Sequence, residues 1–165
     1  GAGVLLRLSA LRSVAFDNGQ YLEYFDELMF MYKEDCDLSY RLRLANWDIV
    51  LVPEAVIYHD RTAVKAKGGW KSQWKERRQS SKLIRRWSYH NQLVIFLKYW
   101  SLPKKLSTRL KEVNYQLKRL AVAVMLEPFT LSVWKAIFKE RAAIIARRRA
   151  LNIKINPLSL EKWRY

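Results

Sequence analysis

Residues 29–59 read MFMYKEDCDLSYRLRLANWDIVLVPEAVIYH, and the side chains that could do chemistry concentrate there. Glu34, Asp35 and Asp37 open a short helical pattern, and Asp48 follows it. An apolar run beyond then leads through Pro53 and Glu54 to His59. An acidic pair where a loop meets a helix, with a histidine at the end of the next strand, suits activation of a hydroxyl beside a bound cation. A helix N-terminus keeps a carboxylate ionised and fixed, because the macrodipole favours negative charge there. Spacing alone leaves a plainer reading open. Asp35 and Asp37 would then only cap the helix, and His59 would be a polar strand end. Cys36 has no histidine nearby in sequence and is assigned no chemistry.

The elements that must position these groups follow from periodicity. Leu38, Leu42 and Ala45 fall at i, i+4 and i+7, so they share one face of a helix starting near Glu34. Asp35 or Asp37 is expected as its N-cap, and Asp37 can pair with Arg41 at i+4 on the exposed side. Asn46 stands where a left-handed C-cap is expected. Trp47 to Val52 reads as a strand closed by Pro53, with Ala55 to His59 a second extended piece and Trp47 in the core. Upstream, Gly1 to Leu11 reads as a buried strand, VLL, entered through glycines that let another backbone or a ligand come close. Ser9 to Ala15 offers one or two helical turns capped by Ser9. Phe16 to Glu27 reads as a loop around the Asn18-Gly19 turn.

Charge divides the chain near Asp60. Residues 1–60 hold five Lys/Arg against ten Asp/Glu, a balance of −5, whereas residues 61–165 hold 26 against five, a balance of +21. An acidic α/β segment followed by a basic, aromatic, helical one suggests catalysis first and attachment to an anionic surface second. With 165 residues, one domain with a real core is comfortable and two sizeable ones are not. The seven Trp and nine Tyr argue against global disorder, and the single Cys36 excludes an intrachain disulfide. The start carries no secretory signal pattern, and an opening Gly in place of Met is compatible with a piece of something longer. Downstream, Gly68-Gly69 is a hinge candidate and Lys71 to Tyr99 is long, basic and aromatic. Ser101-Leu102-Pro103 breaks that run. Lys104 to Met125 is a second helix, and a third segment runs from Pro128 through Arg149. Leu120 to Phe138 is mostly apolar but interrupted by Glu127, Pro128 and Lys135, so a bilayer span is not favoured.

The block from Phe25 to His59 resembles the second half of the core of family 2 glycosyltransferases of the GT-A fold. A phenylalanine-rich loop, an E-D-x-D-L turn, an R-L-R helix, an aromatic strand, P-E-A and a terminal histidine stand in order at matching spacing. Gly1, Ala2 and Gly3 are similar to the glycine strand lining the sugar and acceptor pocket. Residues 88–98, SYHNQLVIFLK, resemble the aromatic-Arg-Asn helix of bacterial members, with His90 where arginine is common. The family's helix usually ends in glycine where Asn46 stands. Its nucleotide-binding strands and their D-x-D motif have no counterpart here, and Asp35-Cys36-Asp37 belongs to the acidic turn.

The resemblance implies an α/β fold, the C-terminal half of a GT-A core (strands plus one short helix) over residues 1–60. An all-α basic helical region over residues 61–165 would follow. It implies the C-terminal portion of an inverting, metal-dependent glycosyltransferase similar to bacterial rhamnosyltransferases and serving polysaccharide and cell-envelope synthesis. Asp35 would be the base, with Glu34 contacting the acceptor or supporting Asp35. Gly1, Ala2, Gly3, Asp37 and Arg41 would line the acceptor or sugar pocket, with Arg41 and Arg43 near the diphosphate. His59 would ligate Mn²⁺ or Mg²⁺, its nitrogen leaning the choice toward Mn²⁺. The partners would be a nucleotide-sugar donor, a glycan or lipid-linked acceptor, and the anionic cytoplasmic face of the cell membrane, held peripherally. As the fragment alone, the chain is expected to be incomplete and inactive. Two rival readings stay open: a truncated membrane-associated scaffold that is not catalytic, and, less favoured, a basic nucleic-acid-binding protein.

Overall fold

The structure is a computed structural model and describes residues 3–58 and 80–163. Gly1, Ala2, His59, the Asp60 boundary and the Gly68-Gly69 hinge therefore lie outside the described residues. Among the described residues helices dominate, with one small sheet, so the mixed α/β class holds in coarse form. The order is α1 (Leu8–Val14), β1 (Phe16–Asp17), β2 (Leu22–Glu23), α2 (Glu34–Leu44), α3 (Lys82–Tyr99), α4 (Leu106–Met125) and α5 (Ser132–Arg149). Single 3₁₀ segments, Pro128–Leu131 and Pro157–Trp163, precede and follow α5.

Local chemistry explains most boundaries. Gly19, at φ 84°, takes the left-handed turn residue between β1 and β2, which pair antiparallel with Phe16 opposite Glu23. The stretch expected as a loop is thus a minimal hairpin. At the end of α2, Asn46 adopts φ 65°, as its type and position predicted. The Trp47 N–H donates to the Leu42 carbonyl at 2.9 Å and the Asn46 N–H to the Arg43 carbonyl at 3.1 Å, a complete Schellman pair. The break at Ser101–Pro103 separates α3 from α4, and Pro128 opens the segment that continues to Arg149.

The expected strands are not formed. Residues 4–7 and 47–52 run as irregular chain, with Leu5, Val50 and Leu51 exposed. A strand is defined by the ladder it joins, and among the described residues these segments have no ladder partner; apolar content alone could not supply one. Residues 55–58 are likewise irregular. Two cap assignments also change. Arg7, not Ser9, is the N-cap of α1, and Lys33, not Asp35 or Asp37, is that of α2. The acids fall inside the first turn, where the helix dipole still favours them.

Among the described residues, three apolar clusters hold the chain together. Leu38, Leu42 and Ala45 pack with Ala10 and Val14, so the predicted face of α2 buries against α1, and Trp47 packs beside them. Met29 joins α3 and α5 through Tyr89, Leu93, Val94, Val133, Ile137 and Ile144. Leu44 packs with Tyr99, Leu102 and Leu160, while the Lys154 N–H donates to the Leu44 carbonyl at 2.9 Å. The C-terminal strap therefore seals the end of α2.

Candidate active site

The turn that delivers Glu34 and Asp35 is built from two consecutive non-glycine residues in the left-handed region, Tyr32 (φ 67°) and Lys33 (φ 69°). Such backbone costs roughly 1–3 kcal/mol per residue and persists only where surroundings impose it. The imposing group is Asn91 of α3, fully buried, whose Nδ2 donates to the carbonyls of Met31 (2.6 Å) and Tyr32 (2.7 Å). With its amide N–H groups spent there, Asn91 turns Oδ1 toward His90 Nδ1 at 2.9 Å. His90 Nε2 lies 2.7 Å from Glu140 Oε2 on α5. Both ring nitrogens of His90 are thus engaged by side-chain oxygens. The line Glu140–His90–Asn91 thus ties α5 and α3 to the acidic turn.

Two residues beyond Asp35, Asp37 anchors the helix from within. Its Oδ2 accepts from Arg41 Nε at 2.9 Å, and its Oδ1 accepts from Tyr99 Oη at 2.7 Å and Lys98 Nζ at 2.6 Å. Lys98 also bonds Asp26, and Arg147 binds Glu23 at 2.5 Å and lies 3.5 Å from Asp26. Lys98, Arg41 and Arg147 face Asp26, Asp37 and Glu23, three cations against three carboxylates, and the Phe16 ring lies against all three cations. The Asp37–Arg41 pair expected on the exposed side is buried instead, at 0% and 2% side-chain exposure. Because the helix turns that face toward Lys98 and Tyr99, water cannot reach it. Burial, then the Asp37 charge beside it, pushes the Tyr99 phenol well above its usual range.

Asp35 is partly exposed at the N-terminal turn, with Oδ1 accepting from the Cys36 N–H at 2.8 Å. The Cys36 thiol is raised, first by burial and then by the Asp35 carboxylate. Glu34 has a buried oxygen, Oε2, with no hydrogen-bond partner among the described residues.

Beside this helix end lies a cavity of about 700 Å³ between α2, α3 and α4, within the size range of small-molecule sites. Cys36, Asp37, Tyr40 and Arg43 wall it from α2. Arg43, Lys104, Lys105 and Lys111 outnumber the carboxylates Asp37 and Glu112 around it, and Ile95 and Phe96 add apolar surface. Asp37 is thus both cavity wall and buried anchor, while Arg41 belongs to the buried network. Gly3 lies against Ile57 of this chain: an added Cβ would stand 1.9 Å from Cδ1, the tip of that exposed side chain, which would have to move aside. Gly1, Ala2 and His59 fall outside the described residues, among which no group of three His, Cys, Asp or Glu side chains is arranged to hold a metal.

Sequence reasoning missed Lys98, Tyr99, Asp26 and the Asn91 clamp. Asn91 stood inside the 88–98 helix already noted, but its target, 60 residues away at Met31, leaves no spacing signal.

Comparison with known proteins adds one match. The family described as glycosyl transferase family group 2 matches over residues 1–139. No curated protein matches, and no solved structure does.

Proposed function

Because this chain belongs to glycosyl transferase family group 2, we propose that it contributes the acceptor and base side of a sugar transfer from a nucleotide-sugar donor. Asp35 takes the proton of the acceptor hydroxyl. That oxygen forms a bond to the anomeric carbon as the bond to the nucleoside diphosphate breaks, and single displacement inverts the configuration. Glu34, beside it in the same first turn, contacts the acceptor or supports Asp35. The cavity walled by Cys36, Asp37 and Tyr40 receives the acceptor, a glycan or a lipid-linked sugar, with aromatic surface for sugar rings and cations for attached anions.

The observation that carries this reading is the carboxylate pair on a clamped helix end; Glu34 and Asp35 do not themselves line the cavity, which the next two residues, Cys36 and Asp37, wall. A catalytic base is most useful where its position costs nothing at the moment of reaction. Residues 1–60 are read as part of a GT-A core, and the basic helices after them as its means of attachment. Mn²⁺ or Mg²⁺ is proposed on the resemblance and through His59 alone. The described residues offer no metal cluster, so no step is routed through a metal.

The test is Asp35→Asn in the full-length protein, following nucleoside diphosphate release from a panel of nucleotide sugars. Loss of turnover by about 100-fold or more with an unchanged melting curve is expected. Unchanged turnover would assign the acids to structure and favour the scaffold reading. The 165-residue chain alone is expected to bind UDP with Mn²⁺ only weakly, and tight binding by titration calorimetry would contradict that division of the site.

A further inference from the structure

Helix α4 carries an apolar seam of regular spacing. Leu106, Leu110, Val113, Leu117, Leu120 and Val124 follow one another at steps of 4, 3, 4, 3 and 4 residues. That alternation keeps one narrow face turned toward a partner helix, as in a coiled coil. The seam stands open among the described residues: Leu106 is 71% exposed, Leu110 61% and Leu117 60%. The body of the chain meets α4 on another side, where Thr108, Glu112 and Gln116 wall the cavity and Ala123 is buried. A contiguous exposed apolar face of this kind marks an interaction site.

Charge and symmetry decide the occupant. The cations of α4 are engaged away from the seam. Lys104 bonds Glu112 at 2.7 Å, Lys111 walls the cavity, and Arg109 and Arg119 lie over the Trp100 and Tyr89 rings at 5.1 and 5.3 Å. Lys118 lies about 100° round the helix from Leu117. The open edge of the seam carries Ser107, Asn114 and Ala121, all exposed and uncharged. A polyanion would find little charge there, whereas an uncharged apolar helix fits along its whole length. The steps also read the same in both directions, so the seam complements its own reverse. In an antiparallel pair, Leu106 faces Val124 of a second copy, Leu110 faces Leu120, and Val113 faces Leu117. The Asn114 side chains of the two copies then meet on the two-fold axis, where their amides can bond one another. A parallel pair would crowd Lys104 and Lys105 of both copies at one end. Reversal sets them instead by the partner helix's last turn, which has no basic residue and holds the negative end of the dipole. We propose that α4 is a self-association surface: two copies of this chain pair antiparallel along the seam, about an axis near Asn114. The inference holds whether or not the transfer chemistry is as proposed.

The experiment is sedimentation equilibrium of the chain over a range of concentrations, without lipid, for the parent and for L110E/L117E. Both leucines are exposed, so circular dichroism should be unchanged in the variant. The parent is expected to sediment as a dimer in equilibrium with monomer, and L110E/L117E to weaken that dimer by about 100-fold or more. Cross-linking then reads the direction of pairing without burdening the fold. Val113→Cys and Leu117→Cys are made separately in a Cys36→Ser background and oxidised mildly, alone and mixed. The mixture should form disulfide-linked dimers, and Leu117→Cys alone should not. Three results would overturn the proposal: a parent that stays monomeric, whether or not it floats with vesicles; a dimer that L110E/L117E leaves intact; or cross-linking of Leu117→Cys alone as strong as that of the mixture, which marks a parallel pair.

Discussion

The buried side-chain amide of Asn91 holds the carbonyl of Tyr32 at 2.7 Å, and so fixes a backbone conformation that Tyr32 and Lys33 would not choose. The carboxylates of Glu34 and Asp35 follow that turn directly, so their placement depends on a residue of α3. Replacing Asn91 by Leu leaves two carbonyls without their donor and should cost about 3 kcal/mol in urea unfolding. A loss below roughly 0.5 kcal/mol would mean that the turn holds itself.

Lys33 offers the opposite test. At φ 69° its Cβ is a liability, and glycine is indifferent to that region. Lys33→Gly should therefore stabilise the chain by about 1 kcal/mol, read as a higher urea midpoint. Destabilisation would show that the side chain contributes more than its backbone strain takes away.

Lys98 sits at 0% exposure between Asp26 and Asp37. Lys98→Met strands both carboxylates in the interior and should cost about 3–5 kcal/mol. Adding Asp26→Asn should recover part of that loss, because one uncompensated charge is removed. No recovery in the double variant would place the cost in packing and not in charge.

Tyr99 should resist ionisation. Its raised folded value means that it stabilises the fold fully below the ordinary value of 10.0, and that this contribution is lost as pH rises above it. In an alkaline titration followed by phenolate absorbance, one tyrosine should ionise only as the chain unfolds. Tyr99→Phe should remove that late step and cost about 1–2 kcal/mol through the lost bond to Asp37. A single smooth transition in the parent chain would contradict the burial of this hydroxyl.

Cys36 reports on Asp35 without any substrate. Its thiol is raised by burial and by the Asp35 charge, so less thiolate is present at a given pH and alkylation by iodoacetamide should be slow. Asp35→Asn lifts the charge part of that effect and should speed alkylation by about threefold or more at mildly alkaline pH. Equal rates would separate the two groups.

The sequence by itself determined what neighbouring residues decide among themselves. The face Leu38–Leu42–Ala45, the left-handed stop at Asn46, the Asn18-Gly19 turn and the breaks at Pro103 and Pro128 are all local, with partners within about one helical turn. The acidic helix start was legible for the same reason, together with the family pattern around it. Only the tertiary structure decided the rest. Val4 to Leu6 and Trp47 to Val52 have strand-like composition but no ladder to join among the described residues, and composition cannot create one. Asp37 was legible as a partner of Arg41, yet its burial depends on Lys98 and Tyr99, 61 and 62 positions away. The direction that α4 faces was equally hidden. A periodic stripe shows that a helix has two sides, but which side meets the body depends on everything packed around it.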